Sequence, residues 1–133
     1  MLVCEIMTED VTCAFPETDV VKAAELMRDR GVGVLPVCDG RRLVGIVTDR
    51  DIVIRHVATQ RSGETVGAIM TPHPYVVRPE DPVERAESLM AEHKVRRLPV
   101  CEEGELVGLI SQADLARRAS HEAVGALVQA ISS

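Results

Sequence analysis

The chain repeats itself. Met7-Thr8 recurs as Met70-Thr71, an offset of 63 residues, and the same offset carries Leu26-Met27 onto Leu89-Met90. It also carries Leu35-Pro36-Val37-Cys38 onto Leu98-Pro99-Val100-Cys101, Leu43-Val44-Gly45 onto Leu106-Val107-Gly108, and Asp51 onto Asp114. Of the 49 ungapped pairs between Met7–Arg55 and Met70–Arg118, 18 are identical, far beyond chance, so the chain holds an internal duplication. The period is too long for a solenoid array, and there are only two copies. A chain of 133 residues has room for one compact domain, or for two half-sized units sharing a core.

Each copy has the same coarse layout. A short extended piece, Val11–Ala14 or Tyr75–Arg78, precedes a helix signal. The first helix begins near Thr18-Asp19, with Val20, Ala23, Ala24 and Met27 on one face at 3.6-residue spacing. Its counterpart opens at Asp81-Pro82, an N-cap residue with proline at the first helical position, and continues through Val83, Ala86 and Met90. Strands over Val32–Cys38 and Leu43–Thr48 follow, joined at Asp39-Gly40; their equivalents are Val95–Cys101 and Glu105–Ile110, joined around Glu103-Gly104. A second helix closes each copy, from about Asp49 and from about Gln112, and Gln60–Gly63 reads as linker. The boundaries expected are therefore 1–63 for the first repeat with its N-terminal segment and linker, 64–119 for the second repeat, and 120–133 for a last amphipathic helix capped by Ser120. Neither half buries both a sheet and its helices well alone. The expected fold class is α/β in the α+β sense: two β-α-β-β-α repeats packed sheet to sheet with pseudo-twofold symmetry.

Composition removes several functions. The formal net charge of -6 argues against a nucleic-acid backbone as partner, and one Tyr, one Phe and no Trp leave no platform for stacking single strands. Glu5, Glu9 and Asp10 stand where a signal peptide needs a basic start and an apolar run, and no stretch approaches a membrane span. A cytoplasmic protein is the expectation. Cys4, Cys13, Cys38 and Cys101 form no C-x-x-C pair, and His56, His73, His93 and His121 sit near none of them at metal-ligand spacing. No metal site is expected, the histidines read as surface residues, and Met27 and Met90 read as packing.

Chemistry concentrates in two strings, Gly45-Ile46-Val47-Thr48-Asp49-Arg50-Asp51 and Gly108-Leu109-Ile110-Ser111-Gln112-Ala113-Asp114. Each reads glycine, two apolar residues, a hydroxyl residue, two variable positions, then Asp, and each ends a strand and opens a helix. One account is a helix cap: Thr48 or Ser111 with an acid three residues later approximates a capping box. The other uses the same atoms on a ligand. Free N–H groups and the Thr48 or Ser111 hydroxyl attract a phosphate. Asp51 or Asp114 accepts two hydrogen bonds from a ribose diol, as acids do in dinucleotide folds. Ile46 and Leu109 then flank a flat base. For one isolated copy the cap is the favoured account, since such patterns are common, and the pattern's recurrence in register shifts the balance toward the ligand.

This doubled pattern, with Leu-Pro-Val on the preceding strand, resembles the CBS domain in tandem, from roughly Glu5 to Ala119. Thr48-Asp49-Arg50-Asp51-Ile52-Val53-Ile54 and Val95-Arg96-Arg97-Leu98-Pro99-Val100 look most like the small stand-alone CBS pairs of bacteria. The resemblance implies clefts between paired units that accept AMP, ADP, ATP or another adenosyl ligand, no required cofactor, and no catalysis. It also implies homodimers, and an output read by a separate effector protein. Carried onto this sequence, Asp51 and Asp114 hold ribose, and Thr48 and Ser111 lie at phosphate. Thr12 lines the first site, and its repeat-equivalent Tyr75 stacks on a base or fills the pocket. A structural or protein-interaction module with empty clefts is the rival reading.

Two further features divide in the same way. Arg96 and Arg97 replace Gly33 and Val34 of the first copy; one of them, with Arg97 the candidate, neutralises a phosphate, or both belong to a solvent edge or salt bridge. Cys13 and Cys38 approach bonding distance if the first two strands are neighbours, which makes a disulfide and a redox response available. The alternative is two buried small hydrophobes in a reducing compartment.

Overall fold

The computed structural model describes residues 1–118, so the helix expected over 120–133, with Ser120 and His121, lies outside the described residues. In chain order the elements are α1 (Val20–Arg30), β1 (Val34–Asp39), β2 (Arg42–Thr48), α2 (Asp49–Ile52), α3 (Val66–Ile69), β3 (Thr71–Pro72), α4 (Val83–His93), β4 (Arg97–Glu102) and β5 (Glu105–Ser111). A helical run, α5, follows over 112–118. A 3₁₀ turn at Val3–Glu5 precedes α1, and a π-helical turn at Val53–Val57 continues α2.

The helices form where the apolar spacing puts them. α1 buries Val20, Ala23 and Met27, and α4 buries their repeat partners Val83, Ala86 and Met90. Their starts differ. Asp19 accepts a hydrogen bond from Val21 N–H at 2.8 Å, a side-chain cap contributing about 1 kcal/mol. Proline occupies the equivalent position 82 in extended backbone (φ -67, ψ 149), so α4 begins one residue later than expected and has no side-chain cap. Asp81 is therefore not the N-cap. Its carboxylate accepts from Arg78 N–H at 2.9 Å and closes the turn before the helix, as the Thr18 hydroxyl does for Phe15 N–H.

The helix ends explain the strand starts. Gly31 (φ 65) and Lys94 (φ 55) turn the chain through left-handed backbone, and Val32 and Val95 donate back to the carbonyls of Met27 and Met90. Val32 and Val95 thus belong to the helix caps, which is why β1 and β4 begin two residues later than expected. β1 pairs antiparallel with β2 from Val34↔Thr48 to Asp39↔Arg42, and β4 and β5 are hydrogen-bonded neighbours. The expected first strands, Val11–Ala14 and Tyr75–Arg78, shrink to single parallel bridges, Ala14 to Val37 and Val77 to Val100. Proline is the cause. A parallel ladder extended back from Ala14 or Val77 needs an N–H on residue 36 or 99 for the carbonyl of Thr12 or Tyr75, and Pro36 and Pro99 have none; Pro16 and Pro79 likewise stop it on the far side.

The chain divides into two compact units. The first holds residues 10–74 and Glu103–Leu106; the second holds Met1–Glu9, Tyr75–Glu102 and the chain from Val107 on, described to 118. Their cores are separate. Ala14, Val20, Ala23, Met27, Leu35, Val37, Val47 and Ile52 pack in the first with Val66 and Ile69, while Val77, Ala86, Met90, Leu98, Val100 and Ile110 pack in the second with Val3. The stretch leading into each repeat therefore serves the core built mainly from the other.

The two leaders are equivalent atom by atom. Val66 donates to Thr18 O at 2.7 Å and Val3 to Asp81 O at 2.8 Å. The first N–H of α1, on Val20, donates to Glu64 O, and that of α4, on Val83, donates to Met1 O, each at 3.0 Å. β3 then pairs with β2 at Gly45↔Pro72 and Ile46↔Thr71, while Thr8 exchanges both backbone hydrogen bonds with Leu109. Glycine is required at the crossing. A Cβ on Gly45 would stand 2.8 Å from Thr71 O and 2.7 Å from Met70 Sδ; one on Gly108 would stand 2.9 Å from both Thr8 O and Met7 Sδ. The first letter of each string is thus explained by backbone packing.

Candidate functional site

Both hydroxyl–acid pairs close as reciprocal boxes at the end of a strand. In the first unit, Asp51 N–H donates to Thr48 Oγ1 and Thr48 N–H donates to Asp51 Oδ2, each at 3.0 Å. In the second, Asp114 N–H donates to Ser111 Oγ at 3.1 Å and Ser111 N–H donates to Asp114 Oδ2 at 2.8 Å. The capping account is therefore realised in both copies. One carboxylate oxygen, Oδ2, is committed to the backbone; Oδ1 is left to meet something else.

What Oδ1 meets differs between the units. In the first, Arg55 Nε lies 3.8 Å from Asp51 Oδ1, and its Nη1 donates to Ile69 O at 3.0 Å and Met70 O at 3.4 Å. The guanidinium is thus anchored on the last carbonyls of α3, which favour a cation. In the second, Arg117 donates directly to Asp114 Oδ1, and Asp114 is only 6% exposed. Arg117 has no cationic counterpart, since the residue 63 positions earlier is Ile54. Arg118, the counterpart of Arg55, lies 3.9 Å from Glu84 and 3.6 Å from Glu87 of α4. Ile6, Asp114, Arg117 and Arg118 line a cavity of about 230 Å³. Its guanidinium groups were not among the candidates from sequence, although the exchange of Ile54 for Arg117 is visible once the repeats are aligned.

The remaining candidates take varied positions. Thr12 is half-buried beside the Ala14 bridge, and Ile46 and Leu109 are half-buried on β2 and β5, where Thr71 and Thr8 pair with their backbones. Arg97 is exposed at the start of β4, and Arg96 O accepts from Gln112 N–H at 2.8 Å. Tyr75 is 51% exposed, with its ring stacked on His93 at 3.6 Å between centroids and 10° between planes. One face of that ring is thus occupied by a side chain.

Cys13 and Cys38 do meet. Their sulfurs are 3.7 Å apart, with Cys38 donating to Cys13. A disulfide requires about 2.05 Å, so the sulfurs are neighbours and not bonded. Cys101 is buried, and desolvation raises its thiol pKa. The histidines depart from a uniform surface reading. His56 is largely enclosed, with Nδ1 2.8 Å from Glu64 Oε1, and that hydrogen bond holds the Glu64 carboxyl below its ordinary range. This pair fastens the end of the π-helical turn to the leader of the second repeat, and spacing gave no sign of it. Among the described residues, no group of three or more His, Cys, Asp or Glu side chains is placed to hold a metal ion. No helix among them is long and apolar enough to cross a membrane.

Comparison with known proteins agrees with this architecture. The chain is 38% identical over 132 residues to Hypoxic response protein 1 of Mycobacterium tuberculosis (strain ATCC 25618 / H37Rv), across 97% of this chain and 92% of that one. It is 37% identical over 130 residues to the CBS domain-containing protein YhcV of Bacillus subtilis (strain 168), across 96% and 93% of the two chains. The crystal structure of Hypoxic Response Protein I with two coordinated zinc ions superposes with a TM-score of 0.81 at 38% identity, over 88% of this chain and 98% of that one. CBSX2 in complex with AMP also superposes with a TM-score of 0.81, at 35% identity, over 90% and 96%. The model of the CBS domain matches residues 3–56 and again 66–121. The chain belongs to the CBS-domain family and carries that α+β domain twice.

Proposed function

We propose that this chain is a non-catalytic sensor of adenosine-type ligands, working in the cytosol and passing its state to a separate effector protein. The observation that carries this reading is the doubled box. Each of two equivalent units presents an Asp whose Oδ2 is fixed by backbone; Oδ1 is the atom offered to a ribose diol, with Arg55 at 3.8 Å from it in Asp51 and Arg117 donating to it in Asp114. A relative of the same fold is described in complex with AMP, which supports the ligand class. Thr48 and Ser111 lie at phosphate in this reading, Ile46 and Leu109 flank the base, Thr12 and Tyr75 line their respective units, and Arg97 offers a positive charge. Val21, Val53, Ile54 and Val57 are exposed on α1 and the α2 region, and a second copy of the chain is the proposed cover for them.

A panel of AMP, ADP, ATP, adenosine and S-adenosyl compounds, read by melting temperature and calorimetry, tests the proposal. A ligand that binds the native state raises the midpoint, by RT ln(1 + [L]/Kd) in free energy. No shift and no heat from any of them would leave the boxes as helix caps. That second reading has its own support, because both boxes are complete without a ligand. The 3.7 Å thiol pair supports a redox response through Cys13 and Cys38 as an added property, checked by counting thiols after mild oxidation.

A further inference from the structure

We infer that Arg117 makes the second unit selective for phosphate-bearing adenosyl ligands, while the first unit lacks that selection. The inference rests on the adenosine-type reading above and adds the residue that sets ligand charge. In the second unit the Asp114 oxygen left over from the capping box is already paired with Arg117. A ribose diol reaches Asp114 only by taking the place of that guanidinium. Asp114 is buried but the Arg117 side chain is 66% exposed, so the guanidinium can leave the acid and swing to an anion at the mouth of the cavity it lines with Ile6 and Arg118. Arg118 cannot substitute as the group seeking a new anion, since it already lies within 4 Å of Glu84 and of Glu87, at 3.9 Å and 3.6 Å.

A ligand that brings its own anion repairs the loss. A phosphate on the same ribose gives the freed guanidinium a bidentate acceptor, the geometry arginine suits best. An uncharged nucleoside gives up the ion pair and leaves the guanidinium to water alone. Selection thus comes from exchanging one counter-ion for another. The surrounding sequence reinforces it: Arg96 and Arg97 stand where the first unit has Gly33 and Val34, and Gln112 stands where it has Asp49.

The first unit presents the opposite case. Arg55 is held by the carbonyls of Ile69 and Met70 and stays 3.8 Å from Asp51, and position 54 is an isoleucine. A diol meets Asp51 without dislodging a direct ion pair, so its arrival releases no guanidinium from the acid. Asp49, next to Gly33, adds a carboxylate that disfavours an anion.

Calorimetry on the full chain tests this with AMP and adenosine as probes. An Asp51→Asn background silences the first unit, so that binding reports on the second. In that background AMP is expected to bind about tenfold or more tighter than adenosine, the scale of one charge-assisted hydrogen bond. Arg117→Ile, which copies the first unit, should bring the ratio near one by weakening AMP and sparing or tightening adenosine. Arg117→Lys should keep most of the preference, because it keeps the charge. Arg117→Gln provides a polar variant of similar reach, and melting curves verify that each variant folds. An AMP-to-adenosine ratio unchanged by Arg117→Ile and Arg117→Gln overturns this inference and leaves nucleotide binding standing. Absence of binding by both probes in the background and in the wild type overturns the sensor reading, and this inference with it.

Discussion

The two units carry the same box and the same glycine crossing, yet their acids have different neighbours. Asp51 shares its surroundings with an arginine that is moored elsewhere; Asp114 is paired outright and more deeply buried. What a duplicated fold keeps is backbone geometry: caps, crossings and turns that admit few residue types. What it releases is the identity of side chains one helical turn away, where Ile54 and Arg117 are equally compatible with a helix. Equivalent folding and divergent chemistry therefore coexist in one chain.

The shared part is the one to break first. Gly45→Ala and Gly108→Ala each place a Cβ against a backbone carbonyl and a methionine sulfur, and only the sulfur can move aside. Each substitution should cost about 3 kcal/mol, the upper range of overpacking. Urea denaturation measures both. Losses differing by more than about 1 kcal/mol would show that the crossings are not energetically equivalent.

Next comes the part that diverges. Asp51→Ala removes a cap and a distant ion pair, and should cost about 1 kcal/mol. Asp114→Ala removes the same cap and also the direct pair with the largely exposed Arg117, for about 1–2 kcal/mol in all. The same denaturation experiment compares them. Equal costs would mean that the Arg117 pair adds nothing to stability.

The smallest expected effect sharpens the comparison at the helix ends. Gly31 and Lys94 hold the same left-handed backbone, φ 65 and 55, but only glycine holds it without a Cβ penalty. Lys94→Gly should raise stability by about 0.5–1 kcal/mol, and Gly31→Lys should lower it by a similar amount. Thermal melts of the two variants check the sign. A destabilised Lys94→Gly would mean that the lysine side chain contributes more than its backbone costs.

Much of this was legible in sequence because duplication acts as an internal alignment. The offset located both helices, both hairpins and both boxes, and Met27 and Met90 were read correctly as core. Misreadings arose where a local rule met a competing residue. Asp81 has the right side chain for a cap, but extended Pro82 holds the helix start one residue away. Val32 and Val95 have strand propensity, yet helix-end hydrogen bonds claim them. Pro36 and Pro99, inside the partner strands, cut the first strands to one bridge each, although both prolines were in plain view. The His56–Glu64 pair and the Arg117–Asp114 pair depend on tertiary placement and side-chain direction, which a linear pattern does not encode.

The placement of the leaders bears on how such a chain can be cut and how it arose. A break anywhere in residues 60–63 yields two fragments, neither of which owns a complete core. One lacks Val66 and Ile69 for its own sheet while carrying a surplus Val3, and the other has the reverse debt. The fragments have reason to find each other again, and this fold is a natural candidate for split-protein reassembly. The same reciprocity suits an ancestor of half the length, two copies of which traded their leading segments. Joining such copies end to end would make permanent a partnership that the backbone hydrogen bonds already specify.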